Sequence, residues 1–100
     1  MVKHIILWQI KDELSDSEKS NVKSQIKQGL ENLVGKVPGL VDAKVQIDSL
    51  PSSNVDIMLD STVEDEAALQ SYAVHPAHVA VKDNIIVPNV KSRYCIDYKL

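Results

Sequence analysis

Two histidines sit three residues apart around a proline in the stretch YAVHPAH, Tyr72 to His78, and a third, His4, lies in the apolar opening MVKHIILWQI. Imidazole and phenol can move protons, so Tyr72 and His78 either begin an acid–base site or fill an interior with their polar tips bonded to backbone or water, while His4, alone on its strand face, reads by itself as a satisfied core histidine. His78 falls two residues past Pro76. Proline suits the first turn of a helix, where an amide proton has no partner anyway. The positive end of the helix dipole there favours a neutral ring, which can act as a base. Tyr72 lies six residues earlier on a preceding helix, and a break at His75 would bring phenol and imidazole to one cavity. The phenol could then donate to an enolate oxygen while His78 takes a proton. Aldol or enol chemistry of this kind uses no cofactor.

The other polar candidates read as structural. His75, directly before Pro76, is expected to serve as a cap or loop residue. His75 and His78 could hold a metal with Asp83, but a proline between the ligands and only two histidines argue against it, and neither metal nor cofactor is expected. Asp56 could pair with His4 or His78 if it pointed inward, yet a strand aspartate alternating with apolar neighbours belongs to a wet face. Cys95 is the only cysteine, which excludes an intrachain disulfide and a cysteine-based zinc site. It reads as a small core residue and fits a reducing, cytoplasmic compartment.

These residues must be positioned by elements that the patterning supplies. Val2 to Ile10 is apolar on both alternating faces, with His4, Ile6 and Trp8 on one side and Ile5 and Leu7 on the other, as in a strand covered on both faces. SDSE, Ser15 to Glu18, has capping-box spacing. Val22, Ile26, Leu30 and Leu33 then form one helical stripe, ended by Gly35, Pro38 and Gly39. LVDAKVQID alternates, placing Val41, Ala43, Val45 and Ile47 inward, and Val55, Ile57 and Leu59 alternate with Asp56, Met58 and Asp60 in a third strand that pairs with it as a hairpin. A second capping box, Ser61 to Glu64, is expected to open the next helix. After Pro88, Tyr94, Ile96 and Tyr98 alternate against Arg93, Cys95 and Asp97 in a last strand.

The order β-α-β-β-α-β is the ferredoxin-like arrangement, an α+β fold with both helices on one face of a four-stranded antiparallel sheet. Residues 1–100 read as one domain, the usual size for a single core. The opposite sheet face, on which His4, Ile6 and Trp8 are expected, would meet water unless a second copy covered it, so a homodimer is expected. With 44% apolar and 25% charged residues and a net charge of −3, the chain is that of a globular protein with no basic stripe for nucleic acid and no polybasic tail for a membrane. The apolar start is too short to span a bilayer and reads as the first strand of an unprocessed protein.

The opening MVKHIILWQIKDE, the later YAVHPAHVAVKD and the ending IDY resemble the stress-responsive A/B barrel (Dabb) family of dimeric α+β barrels, over nearly the whole chain. That family includes stress-associated proteins and a plant polyketide cyclase. The resemblance to the cyclase implies catalytic roles for His4, Tyr72 and His78, with His4 lining the cavity and orienting the other two. Where the cyclase carries a helix tyrosine and a strand histidine, this chain has Ile26 and Asp56, and Val22 and Lys23 replace its large aromatics. The reaction on a long alkyl polyketide therefore does not carry over. Ile6, Trp8, Ile26, Met58 and Val81 are the apolar residues expected to contact a small-molecule ligand. Two functions follow: a cofactor-independent lyase or cyclase acting through an enolate, or a non-catalytic dimeric barrel that binds a small apolar ligand or serves in stress tolerance.

Overall fold

Strand β1, Val2–Ile10, alternates in burial along its whole length. In the computed structural model, which describes residues 1–100, Val2, His4, Ile6, Trp8 and Ile10 are buried and the residues between them are half-buried. Helix α1, Asp16–Glu31, begins at the expected cap. The Glu18 amide donates to Ser15 Oγ at 3.2 Å, and the Ser15 amide donates to Glu18 Oε1 at 2.9 Å. Its buried stripe is Val22, Ile26 and Leu30, and Leu33 and Val37 extend the core into the turn that follows.

That turn delivers the chain to β2, Leu40–Gln46, which pairs antiparallel with β3, Ile57–Val63. At Gly39 two demands coincide. Its φ is +85°, a conformation open to glycine, and an added Cβ would lie 2.7 Å from the Cβ of Ala68. A register shift between Leu40 and Asp42 turns Val41 outward, so Val41 is exposed where simple alternation placed it inside. Ser61 does not cap a helix. It lies in β3, and its hydroxyl donates to the His4 carbonyl at 2.7 Å. The cap is Asp65, whose carboxylate accepts from the Ala68 amide at 2.7 Å and opens α2, Glu66–Val74.

The helix breaks at His75, whose backbone is extended, and restarts as α3, Pro76–Val81. A π-helical turn, Lys82–Ile86, leads to β4, Val90–Lys99. The sheet order is β2-β3-β1-β4, with every neighbouring pair antiparallel, which is the ferredoxin-like α+β fold.

The face of the sheet that packs on the helices is the reverse of the one expected. Ile6 and Trp8 join Ile57, Leu59, Val45, Ile26 and Tyr72 in one core, so the side of β1 that carries His4, Ile6 and Trp8 is the helix side. The open face carries Ile5 and Leu7, with Met58 and Tyr94 opposite Leu7, Ile96 opposite Ile5 and Tyr98 opposite Lys3. Tyr94, Ile96 and Tyr98 are about half exposed there. Apolar residues on both sides of β1 made either assignment compatible with the alternation.

Candidate functional site

A cavity of about 380 Å³ opens between the helix side of β1 and β4 and the segment from α2 to the π-helical turn. His4, Ile6, Trp8 and Leu59 form its floor from the sheet, and Tyr72, Ala73 and Leu69 of α2 and His78 of α3 form one wall. The break at His75 builds that wall. The Ala77 amide donates to His75 Nδ1 at 3.1 Å, so His75 caps α3, as expected, and turns the chain so that His78 faces back toward Tyr72. The Tyr72 and His78 ring centroids are 4.4 Å apart, and His4 meets the Tyr72 ring edge-on at 5.9 Å.

Each ring has its own electrostatic setting. His78 Nδ1 lies 3.2 Å from the Ala73 carbonyl, which only accepts, so Nδ1 carries the proton and Nε2 keeps its lone pair. Burial holds the His78 pKa below its ordinary value; the Ala73 carbonyl opposes this, and the charges of His4, Lys82 and Arg93 add to it. Tyr72 is buried, and desolvation pushes its phenol up to about 12. Its hydroxyl has no hydrogen-bond partner in the protein, and the same is true of Trp8 Nε1. Both residues line the cavity. His4 Nδ1 lies 2.5 Å from Asp97 Oδ1 across the β1–β4 register, and the carboxylate fixes both ring tautomer and ring plane.

Of the expected apolar contacts, Ile6 and Trp8 line the cavity. Ile26 is fully buried in the core beneath α1, and Val81 packs over Gly29, where an added Cβ would come within 3.1 Å of Val81 Cγ1. Met58 stands on the open face beside Leu7, because β3 turns Ile57 and Leu59 inward. Those three lie outside the lining. Asp56 meets neither histidine; its carboxylate accepts from the Ile10 amide at 2.7 Å. Cys95 is exposed, not core, because β4 is an edge strand that the helices leave largely uncovered. His75, His78 and Asp83 do not gather. The grouping with metal-ligand spacing is His4, Cys95 and Asp97, whose ligand atoms lie within 4.8 Å of one another. Burial, then the charge of Asp97, pushes the Cys95 thiol up, which favours the thiol over the ligating thiolate.

Sequence reasoning missed Asp97, Arg93 and Lys82. The alternation had placed Arg93, Cys95 and Asp97 on one face of the last strand, and the pairing of that strand with β1 would have carried Asp97 to His4.

A model of the stress-responsive A/B barrel domain matches residues 2–100. A dimeric ferredoxin-like protein of unknown function from Bacteroides fragilis is 31% identical, with a TM-score of 0.93 over 99% of this chain and 95% of that one. The At3g17210 protein of Arabidopsis thaliana is 27% identical, with a TM-score of 0.78 over 100% of this chain and 95% of that one. The hydroxynitrile lyase of Passiflora edulis shares the fold at 19% identity, with a TM-score of 0.73 over 97% and 90% of the two chains. Among curated proteins none matches.

Proposed function

The chain belongs to the stress-responsive A/B barrel domain family, and from that premise we propose that it acts as a homodimer whose cavity carries out cofactor-free enolate chemistry on a small molecule. The observation that carries this reading is the Tyr72 hydroxyl, buried without a protein partner, with its ring 4.4 Å from that of His78. A carbonyl compound seated there loses an α-proton to His78 Nε2, and the electron pair of the C–H bond becomes the enolate. The developing oxyanion accepts a hydrogen bond from Tyr72, which keeps its proton because its pKa is about 12. Collapse of the enolate onto a second carbonyl gives cyclisation, and expulsion of a leaving group gives a lyase. In either case the His78 imidazolium returns the proton. His4, held by Asp97, is a positioning residue for Tyr72.

The mostly apolar lining equally suits a binding protein without turnover, and dimeric relatives support the homodimer. A reducing, cytoplasmic location is part of the proposal, since the Cys95 thiol is free and exposed. Hydrogen–deuterium exchange at the α-carbon of 2-octanone in D₂O, followed by NMR, separates enzyme from binder. The parent protein should accelerate it, and His78→Ala should remove on the order of 10²–10⁴ of that rate. Equal rates with parent, His78→Ala and buffer would leave only the binding role.

A further inference from the structure

The charged side chains that line the cavity are all of one sign. Lys82 from the π-helical turn and Lys91 and Arg93 from β4 reach it, and no carboxylate does. Lys91 is already held by both oxygens of Asp12, at 3.0 and 2.9 Å, and Lys82 lies 3.9 Å from Asp83. Arg93 is in no ion pair, although a chain of net charge −3 has acids to spare. Guanidinium groups fit carboxylates through two parallel hydrogen bonds, so an unpaired arginine at a cavity mouth is a ready anion partner. The β1–β4 register sets Arg93 opposite Trp8 on the cavity side of the sheet.

Deeper in, Ile6, Trp8, Leu30 and Leu59 make the lining apolar. A cation without a carboxylate partner at the mouth and an apolar floor call for one molecule that joins an anionic head to an apolar body. A cavity of about 380 Å³ is in the size range of small-molecule sites.

We propose that the ligand is a small carboxylic acid, its carboxylate held by Arg93 at the mouth and its apolar body against Ile6 and Leu59 at the floor. This rests on the reading of the cavity as the ligand site and narrows the ligand class to an apolar carboxylic acid. Lys82 adds positive potential on the opposite lip without a fixed geometry.

Calorimetric titration of octanoate and methyl octanoate into the parent, Arg93→Gln and Lys36→Gln proteins at pH 7.5 tests it. Octanoate should bind the parent and Lys36→Gln about tenfold or more tighter than the ester. Arg93→Gln should bring the two within about threefold by weakening octanoate alone. Equal affinity of acid and ester in the parent overturns the anion assignment and leaves the cavity as an apolar site. A preference that survives Arg93→Gln overturns the role of Arg93. Failure of both probes to bind overturns the cavity reading and the carboxylic acid together.

Discussion

Tyr72 and His75 illustrate opposite relations between stability and function. A buried hydroxyl without a partner costs about 1–3 kcal/mol, so Tyr72→Phe should leave the urea midpoint unchanged or raise it while slowing enolate exchange. A drop in the urea midpoint would show that the hydroxyl is hydrogen-bonded in the folded protein. His75→Ala removes the cap on the Ala77 amide and should cost about 0.5–2 kcal/mol, with little change in exchange rate. The sequence already separated these two histidines, because a residue before proline is extended and ready to cap. It did not reveal Asp97, the partner of His4, which lies 93 residues away and is brought close only by strand pairing. The pH dependence of stability follows from His78. Its folded pKa lies below the ordinary 6.5 because burial penalises the charge, so the unfolded chain binds a proton that the folded protein resists. Its contribution is constant above about pH 7 and turns destabilising as pH falls through 6.5 toward the folded value. Denaturation midpoints of parent and His78→Ala from pH 7 to 5 should diverge, the parent losing more, and parallel curves would show that His78 titrates freely.

The elements that hold these residues owe their form to local signals of unequal quality. SDSE and STVE have the same spacing, yet Ser15 caps α1 while Ser61 donates to the His4 carbonyl from within β3. A capping box specifies a helix start only where no neighbouring strand claims the same residue, and that competitor is remote in sequence. Val41 was misplaced for a related reason, since a bulge breaks the period of two without a glycine to announce it. Where a glycine is present its role can be tested. Gly39→Ala forces a side chain onto a φ of +85° and within 2.7 Å of Ala68 on α2. The β2 entry and the start of α2 cannot both keep their places, and a loss of more than about 1 kcal/mol in chemical denaturation is expected. Trp8→Ala should cost about 3 kcal/mol, the lower end for a buried large aromatic, because one side of the indole already borders the cavity. A change under about 1 kcal/mol would mean that Trp8 contributes little to the core.

At the scale of the molecule, the alternating strands and capped helices were enough to reach the ferredoxin-like fold, but not to say which sheet face the helices cover. β1 is apolar on both sides, and the decision rests on total packing: Ile57, Leu59 and Val45 share a face with Ile6 and Trp8 and outweigh the other side. The face left over still poses the problem that a second copy would solve. Ile5, Leu7, Met58, Tyr94, Ile96 and Tyr98 form a contiguous apolar strip across three strands, and Ile96 at its centre is 60% exposed. Two such strips packed face to face close the two sheets into one barrel. Sedimentation of the parent at about 10 µM, above the micromolar weak end of the affinities that interfaces of standard size reach, should give twice the 11.1 kDa chain mass. Ile96→Glu should shift it to the monomer, since two buried carboxylates would face each other without partners. His4, Tyr72, His78, Asp97 and Arg93 all come from one chain and from the other side of the sheet. The Ile96→Glu monomer should therefore still bind octanoate, within about threefold of the parent. A parent that sediments at the chain mass would sink the dimer outright. A monomeric variant that folds but has lost octanoate binding would show that the cavity depends on the second copy.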